Sequence, residues 1–310
     1  MKEHKFLLLS AHIFLLSFIF YFVEFFIFNF MFLSGIPVFK QFILFSSIEK
    51  YLFFVGIVFV IFDILFVKDN KKVLMETKFR EFNIAIGITA YNHGESIREC
   101  VRSFLLQPYV KKVIVVDNNS KDNTVSEAIK GGATVVNEPL QGYGSCCIRA
   151  LKEAMKYGDI VCLVEGDGTY SADDLNKLLM YIENADMVLG TRNTRELNAP
   201  DTQMNFFLTW GNLFVAKLLQ TRFWSVRLTD LGCTYRLIRK DSLEKIIDKL
   251  KITGNHFSCE MIIEALKNNL MVIEIPVTFK KRIGKSEGVG GNIFKAFITG
   301  LKMWYLILFR

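Results

Sequence analysis

The hydrophobic pattern divides the chain into three parts. From Phe6 to Leu33 nearly every position is apolar, broken mainly by His12, Glu24 and Asn29. That run exceeds the ~20 residues a helix needs to cross a bilayer. It lacks the short apolar core and small-residue cleavage site of a signal peptide, so a retained anchor is expected. A second run, Tyr51–Val67, carries Asp63 near its end, and Gly35-Ile36-Pro37 reads as a turn between the two. The pattern predicts a membrane anchor of two transmembrane helices over 1–75.

From about residue 80 the pattern changes to short apolar runs alternating with helical periodicity. Strands are expected at Ile84–Thr89, Val113–Val116, Ala133–Val136, Ile160–Val164 and Met187–Leu189, and helices at Ile97–Leu105, Thr124–Lys130, Gly144–Tyr157 and Asp173–Asn184. Such alternation predicts an α/β domain with a mostly parallel, doubly wound sheet over 80–288. Ligands of such sheets bind beyond the carboxyl ends of the strands. The third part, Ile293–Arg310, is an amphipathic pattern with Ile293, Phe294, Phe297, Leu301, Trp304 and Tyr305 on one face and Lys295, Thr299 and Lys302 opposite. It suits a helix in the membrane interface, or one that covers the domain.

Composition sharpens this picture. Hydrophobic residues make up 51% of the 310, and much of the Phe content lies before Lys68. A soluble domain would spread its aromatics through a core, so the clustering supports the anchor. The net charge of +7 and pI of about 9.0 favour anionic partners. No nucleic-acid-binding motif is present, and the basic residues flank apolar segments, which leaves membrane surface and phosphates. Lys68, Lys71, Lys72, Lys78 and Arg80 after the second run place that flank in the cytoplasm. The six Cys form no C-x-x-C pair, which argues against a disulfide framework or a zinc site.

Candidate chemistry sits where the strands end. Asp117 closes the second strand and begins Asp117-Asn118-Asn119-Ser120, able to hold a ribose or base, or to cap the next helix. Gly142-Tyr143-Gly144 precedes a helix, where backbone N–H groups can approach a phosphate. Glu165-Gly166-Asp167 follows the fourth strand. Two carboxylates there can hold a divalent cation, whose other ligands would be phosphate oxygens, or form a solvated acidic turn.

Taken in order, seven strings resemble the GT-A glycosyltransferases of family 2, in particular the dolichol-phosphate mannose/glucose synthase-like group. They are Ile88-Thr89-Ala90-Tyr91-Asn92, Val115-Val116-Asp117-Asn118-Asn119-Ser120, Gly142-Tyr143-Gly144, Glu165-Gly166-Asp167-Gly168-Thr169-Tyr170, Gly190-Thr191-Arg192, Asp230-Leu231-Gly232-Cys233-Thr234-Tyr235-Arg236 and Arg282-Ile283-Gly284-Lys285-Ser286. The match runs from about Ile84 to Ser286.

The resemblance implies a UDP- or GDP-linked sugar donor, a Mg²⁺ or Mn²⁺ ion and inversion at the anomeric carbon. It places Ala90, Tyr91, Glu95, Asp117, Asn119, Gly142, Gly144 and Gly166 around the donor, and the metal on Asp167 and Glu165. Arg192, Arg236, Arg282 and Lys285 would face donor and acceptor phosphates, since a guanidinium binds phosphate oxygens in pairs. The chain departs from the family where Glu165 replaces Asp and where Asp-Asn-Asn-Ser replaces Asp-Asp-Gly-Ser.

A phosphate acceptor needs cations and no general base. The anchor and the basic set therefore point to a polyprenyl-phosphate lipid glycosylated at the cytoplasmic face of a cell or endoplasmic-type membrane. A hydroxyl acceptor would need a base, for which Glu260 is the candidate, although it can equally pair with an Arg. A non-catalytic scaffold relative is the other alternative. The absence of a Gln-x-x-Arg-Trp string argues against a processive synthase.

Overall fold

The structure, a computed structural model, describes residues 3–34, 41–67, 82–224, 226–284 and 292–310. It divides into two compact units, residues 1–71 with 220–225, and residues 72–219 with 226–310.

In the first unit, α1 (Lys5–Leu33) and α2 (Gln41–Phe66) pack antiparallel. Phe6 meets Phe62, Phe14 meets Phe53, and the Ser17 hydroxyl donates to the Glu49 carbonyl. Asp63 explains its place in an apolar run. Its carboxylate accepts the Leu7 N–H at 2.9 Å and meets His4 Nδ1 at 2.5 Å. It thereby satisfies an orphan donor at the start of α1, where a negative charge is favoured. Lys5–Met31 is long and apolar enough to cross a membrane; among the described residues no other helix passes that test. Gly35-Ile36-Pro37 and the basic flank 68–80 lie outside the described residues.

The second unit is built on a seven-stranded sheet of order β3-β2-β1-β4-β6-β5-β7. The strands are β1 (Ile84–Ala90), β2 (Val110–Asp117), β3 (Thr134–Asn137), β4 (Ile160–Glu165), β5 (Met187–Thr191), β6 (Arg236–Arg239) and β7 (Val272–Pro276). All pair in parallel except β6, which runs antiparallel to β4 and β5. The five expected strands form. β6 and β7 are additions, because both are short and lie in segments with no clear alternation. Around the sheet lie α3 (Ile97–Leu105), α4 (Thr124–Gly131), α5 (Tyr143–Ala154), α6 (Asp174–Ile182), α7 (Phe206–Arg222), α8 (Lys240–Glu244), α9 (Phe257–Lys267) and α10 (Ile293–Phe309).

Alternation along β1 sends Ile84, Ile86 and Ile88 into a core with Val101 and Phe104 of α3 and Leu175 and Leu178 of α6. The opposite face meets α5. A Cβ on Gly87 would lie 2.9 Å from the Ala150 carbonyl oxygen, so this helix sits close only because position 87 is glycine.

Chain order reverses at β1. β2 and β3 lie on one side of it and β4 on the other. The register pairs Ala90 with Asp117 and Thr89 with Glu165, so the carboxylates that close β2 and β4 flank the end of β1. This is the switch point at which open α/β sheets bind ligands.

The C-terminal element forms as the helix α10, whose cap Asn292 accepts the Lys295 N–H. Met303, Leu306 and Ile307 are buried, whereas Phe294, Phe297 and Tyr305 of the expected apolar face are exposed.

Candidate active site

A cleft of about 1320 Å³ opens beyond the ends of β1 and β4. Its polar end is lined by Ala90, Tyr91, His93, Glu165, Arg192 and Arg282.

Glu165 and Asp167 are brought together by the turn after β4, and Arg282 lies between them. Its Nη2 is 2.6 Å from Asp167 Oδ2 and 3.2 Å from Glu165 Oε2. The other Asp167 oxygen accepts from Thr169 N at 3.0 Å and Thr169 Oγ1 at 2.6 Å, which fixes the side chain. Glu165 Oε1 accepts from Thr234 Oγ1 at 2.5 Å, and Thr234 in turn meets the Tyr143 hydroxyl at 2.5 Å. Burial, with the Asp167 charge beside it, pushes the Glu165 carboxyl above its ordinary range. Gly166 is held by packing, because a Cβ there would meet Ile97 at 2.5 Å.

The residues fit a divalent cation in one respect. A buried carboxylate, Asp167, and a half-buried one, Glu165, converge on a single positive charge, and among the described residues Asp167 Oδ2 has no hydrogen-bond donor aligned with it. Among the described residues no cluster of three or more His, Cys, Asp or Glu could hold a metal. A metal here would therefore rest on Glu165 and Asp167, with its remaining ligands from a diphosphate and water.

Arg192, at the end of β5, makes a bidentate pair with Asp230: Nε–Oδ2 2.7 Å and Nη2–Oδ1 2.9 Å. Burial opposes the guanidinium charge, but the Asp230 carboxylate outweighs it and holds Arg192 well above its ordinary value. Burial likewise opposes the Asp230 charge, and Arg192 outweighs it and keeps that carboxyl below the usual range. Arg192 also lines the cleft, with its guanidinium 5.3 Å from the Phe279 ring centroid.

Asp117 is buried. Its Oδ2 accepts the Ser120 N–H at 3.1 Å, while Oδ1 has no partner among the described residues. A buried acceptor left open at a strand end is suited to a ligand donor. Asn118 and Asn119 instead hold the loop before α5. Asn118 Nδ2 donates to the Glu138 and Leu140 carbonyls, and Asn119 Nδ2 to that of Pro139. Glu95 is exposed beside Gly284.

Other expected residues lie elsewhere. Gly142 and Gly144 face backbone: an added Cβ would meet the Thr253 oxygen at 2.5 Å and the Ile252 oxygen at 2.1 Å, and Gly144 N–H already donates to Thr253. Tyr143 between them reaches the cleft. Arg236 is fully buried and does not line the cleft; it donates to the Ser258 carbonyl at 3.2 Å and to that of Cys233. Its position on β6 turns the side chain into the interior. Glu260 is also fully buried, accepting from Lys251 N and Ile252 N and pairing with Arg310 at 2.8 Å, so its arrangement is the pairing one. Lys285 lies outside the described residues.

Three residues join the site without having been singled out in the sequence. Thr234 fixes Glu165, Glu274 supports the Asp230 loop, and His93 lines the cleft. Burial lowers the His93 imidazole below its ordinary value, and its Nδ1 has no partner among the described residues. For His93 the signal was its place just past the end of β1.

The profile described as "Glycosyl transferase family 2" matches residues 85–247, more than half of the chain. The chain belongs to this family. It is therefore a glycosyltransferase, and the sheet is the GT-A sheet of such enzymes. A low-salt glycan biosynthesis hexosyltransferase of Haloferax volcanii is 27% identical over 209 residues, 66% of this chain and 49% of the relative. The chain thus spans about half the length of that relative. An undecaprenyl-phosphate mannosyltransferase of Micrococcus luteus is 27% identical over 225 residues, 68% of this chain and 90% of the relative. Among solved structures, glucosyl-3-phosphoglycerate synthase of Mycobacterium tuberculosis, in complex with Mn²⁺, UDP-glucose and phosphoglyceric acid, gives a TM-score of 0.56 at 16% identity. The match covers 73% of this chain and 80% of that one. At that identity the likeness is one of fold.

Proposed function

We propose that this glycosyltransferase moves a hexose from a nucleotide-diphosphate-sugar to a polyprenyl phosphate, with inversion, at the cytoplasmic surface of a membrane. The carrying observation is the composition of the cleft. Its polar end is continuous with an apolar stretch between α7 and α10, where Phe214 meets Trp304 and where Trp210, Phe207, Phe294 and Phe297 stay exposed. A phosphate head at Arg192 and Arg282 with an apolar tail along these helices matches both ends. The Micrococcus luteus relative supports that acceptor.

In this reading Asp117 and Tyr91 hold the nucleoside, and Glu165 with Asp167 hold a divalent cation. When bound, the cation supplies Lewis-acid stabilisation of the departing diphosphate. The Mn²⁺ and UDP-glucose of the mycobacterial structure support a UDP-linked donor and a divalent cation. An oxygen of the acceptor phosphate attacks the anomeric carbon from the face opposite the leaving group. The bond from that carbon to the β-phosphate oxygen breaks, and the electron pair leaves with the nucleoside diphosphate. No proton has to be removed, because the acceptor is already ionised. Arg192 and Arg282 bring its charge to the donor and offset the repulsion.

A hydroxyl acceptor is less well supported. Both oxygens of Glu260, its candidate base, are taken by backbone N–H groups and Arg310.

The apolar α1, its pairing with α2 and the basic flank after it support a two-helix anchor with the catalytic unit in the cytoplasm. The exposed aromatics of α10 support its contact with the bilayer.

The deciding experiment incubates the purified chain with labelled nucleotide-sugars and either a polyprenyl phosphate or the corresponding polyprenol. A lipid product formed only from the phosphate and cleaved by mild acid is expected. An acid-stable product formed equally well from the alcohol would move the assignment to a hydroxyl acceptor.

A further inference from the structure

Glu274 sits on β7, outside the cleft, yet its carboxylate is engaged on one short segment. It accepts the Thr229 N–H at 2.8 and 3.0 Å, the Thr229 hydroxyl at 2.7 Å and the Asp230 N–H at 3.0 Å. The residue so gripped, Asp230, is the one that holds Arg192 by both carboxylate oxygens and also accepts the Arg192 backbone N–H. β7 neighbours β5, the strand that ends just before Arg192, and Glu274 lies opposite Leu189 in that register. The clamp and the guanidinium it acts on thus share one rigid pair of strands.

We infer that Glu274 is a positioning residue for transfer, which acts through Thr229 and Asp230 to hold Arg192 toward the reacting phosphates. The inference rests on the reading of Arg192 as a phosphate-binding cation. The ionised carboxylate can accept all four bonds, and a protonated one must give up acceptor capacity. Burial pushes this carboxyl up to about 7, against the lowering effect of the Thr229 and Asp230 donors. The charged group facing it is Asp230, from the segment between α7 and β6; Leu189 on β5 carries no charge.

The sign separates this role from plain bracing. A carboxyl raised from 4.5 to about 7 on folding contributes stability below the lower value and loses it as pH rises through the upper one. The clamp forms over the same interval. Turnover should therefore rise through pH 7 while the Glu274 contribution to stability falls, whereas a brace would move both together.

The test uses the full chain in detergent. Glu274→Gln should lower turnover at pH 8 by about tenfold, the loss of roughly one charge-assisted bond. It should also remove the rise in turnover near pH 7 without lowering the melting temperature at pH 8. Glu274→Asp, which keeps the charge, should retain a pH-dependent limb. Amide exchange of the segment around Thr229 and Asp230 should quicken about tenfold in Glu274→Gln at pH 8, a readout that needs no substrate. Wild-type exchange in Glu274→Gln, or an unchanged pH limb, would overturn the inference. Faster exchange in a chain inactive on every phosphate acceptor would instead count against the reading of Arg192.

Discussion

Arg282 stands 2.6 Å from Asp167, so a residue beyond β7 supplies the positive charge that faces the carboxylate beyond β4. The pair joins two motifs more than a hundred positions apart at one end of the cleft. Arg282 thus already faces the Asp167 carboxylate in the fold, before any donor arrives.

Removing that carboxylate should separate chemistry from folding. Asp167→Ala should abolish transfer and its dependence on Mn²⁺, while the loss of the Thr169 bonds costs about 1–3 kcal/mol of stability. Transfer assays with a chelator and a Mn²⁺ titration, beside a thermal melt, measure both. Full activity in excess chelator would remove the metal from the proposed mechanism.

Arg236 and Arg282 should respond differently to truncation. Arg236→Ala should destabilise the fold and reduce activity in proportion, because it strips donors from the Ser258 and Cys233 carbonyls. Arg282→Ala should slow turnover by about 10- to 150-fold, the kinetic worth of ~1.5–3 kcal/mol lost in the transition state. Urea unfolding and initial rates on the same preparations would tell them apart. A stable, inactive Arg236→Ala would restore that residue to the site.

Asp230→Ala should be costlier still. It leaves the partly exposed Arg192 without its counter-charge; a fully buried pair would cost about 3–5 kcal/mol to break, and the opening of Arg192 to the cleft lowers that figure. Asp230→Asn retains the shape and part of the bonding, so it should fold better while still transferring poorly. Denaturant midpoints for the two variants provide the comparison.

The apolar stretch between α7 and α10 predicts a chain-length effect. Trp210→Ser combined with Phe297→Ser should raise KM for a long polyprenyl phosphate and leave KM for a short prenyl phosphate nearly unchanged. Both side chains are more than half exposed, so folding should not suffer. Equal effects on both acceptors would place the tail elsewhere.

Much of this was legible in the sequence because it is local. The Phe-rich run, the strand–helix alternation and the carboxylates at strand ends are set by neighbours a few residues apart, where hydrophobic periodicity acts. Asp117, Glu165 and Asp167 were found for that reason: a strand's end fixes where its last side chains emerge. What each long-range side chain does depends on the register of strands distant in sequence, and no local pattern encodes it. Arg192 and Arg236 read alike as cations that face phosphates. Only the antiparallel insertion of β6 between β4 and β5 sent Arg236 into the core and left Arg192 in the cleft. In the same way Glu260 could be read as a base or as a pairing carboxylate until its backbone partners were in place. Glu274, with nothing around it in sequence to mark it, gained its role only when β7 paired with β5.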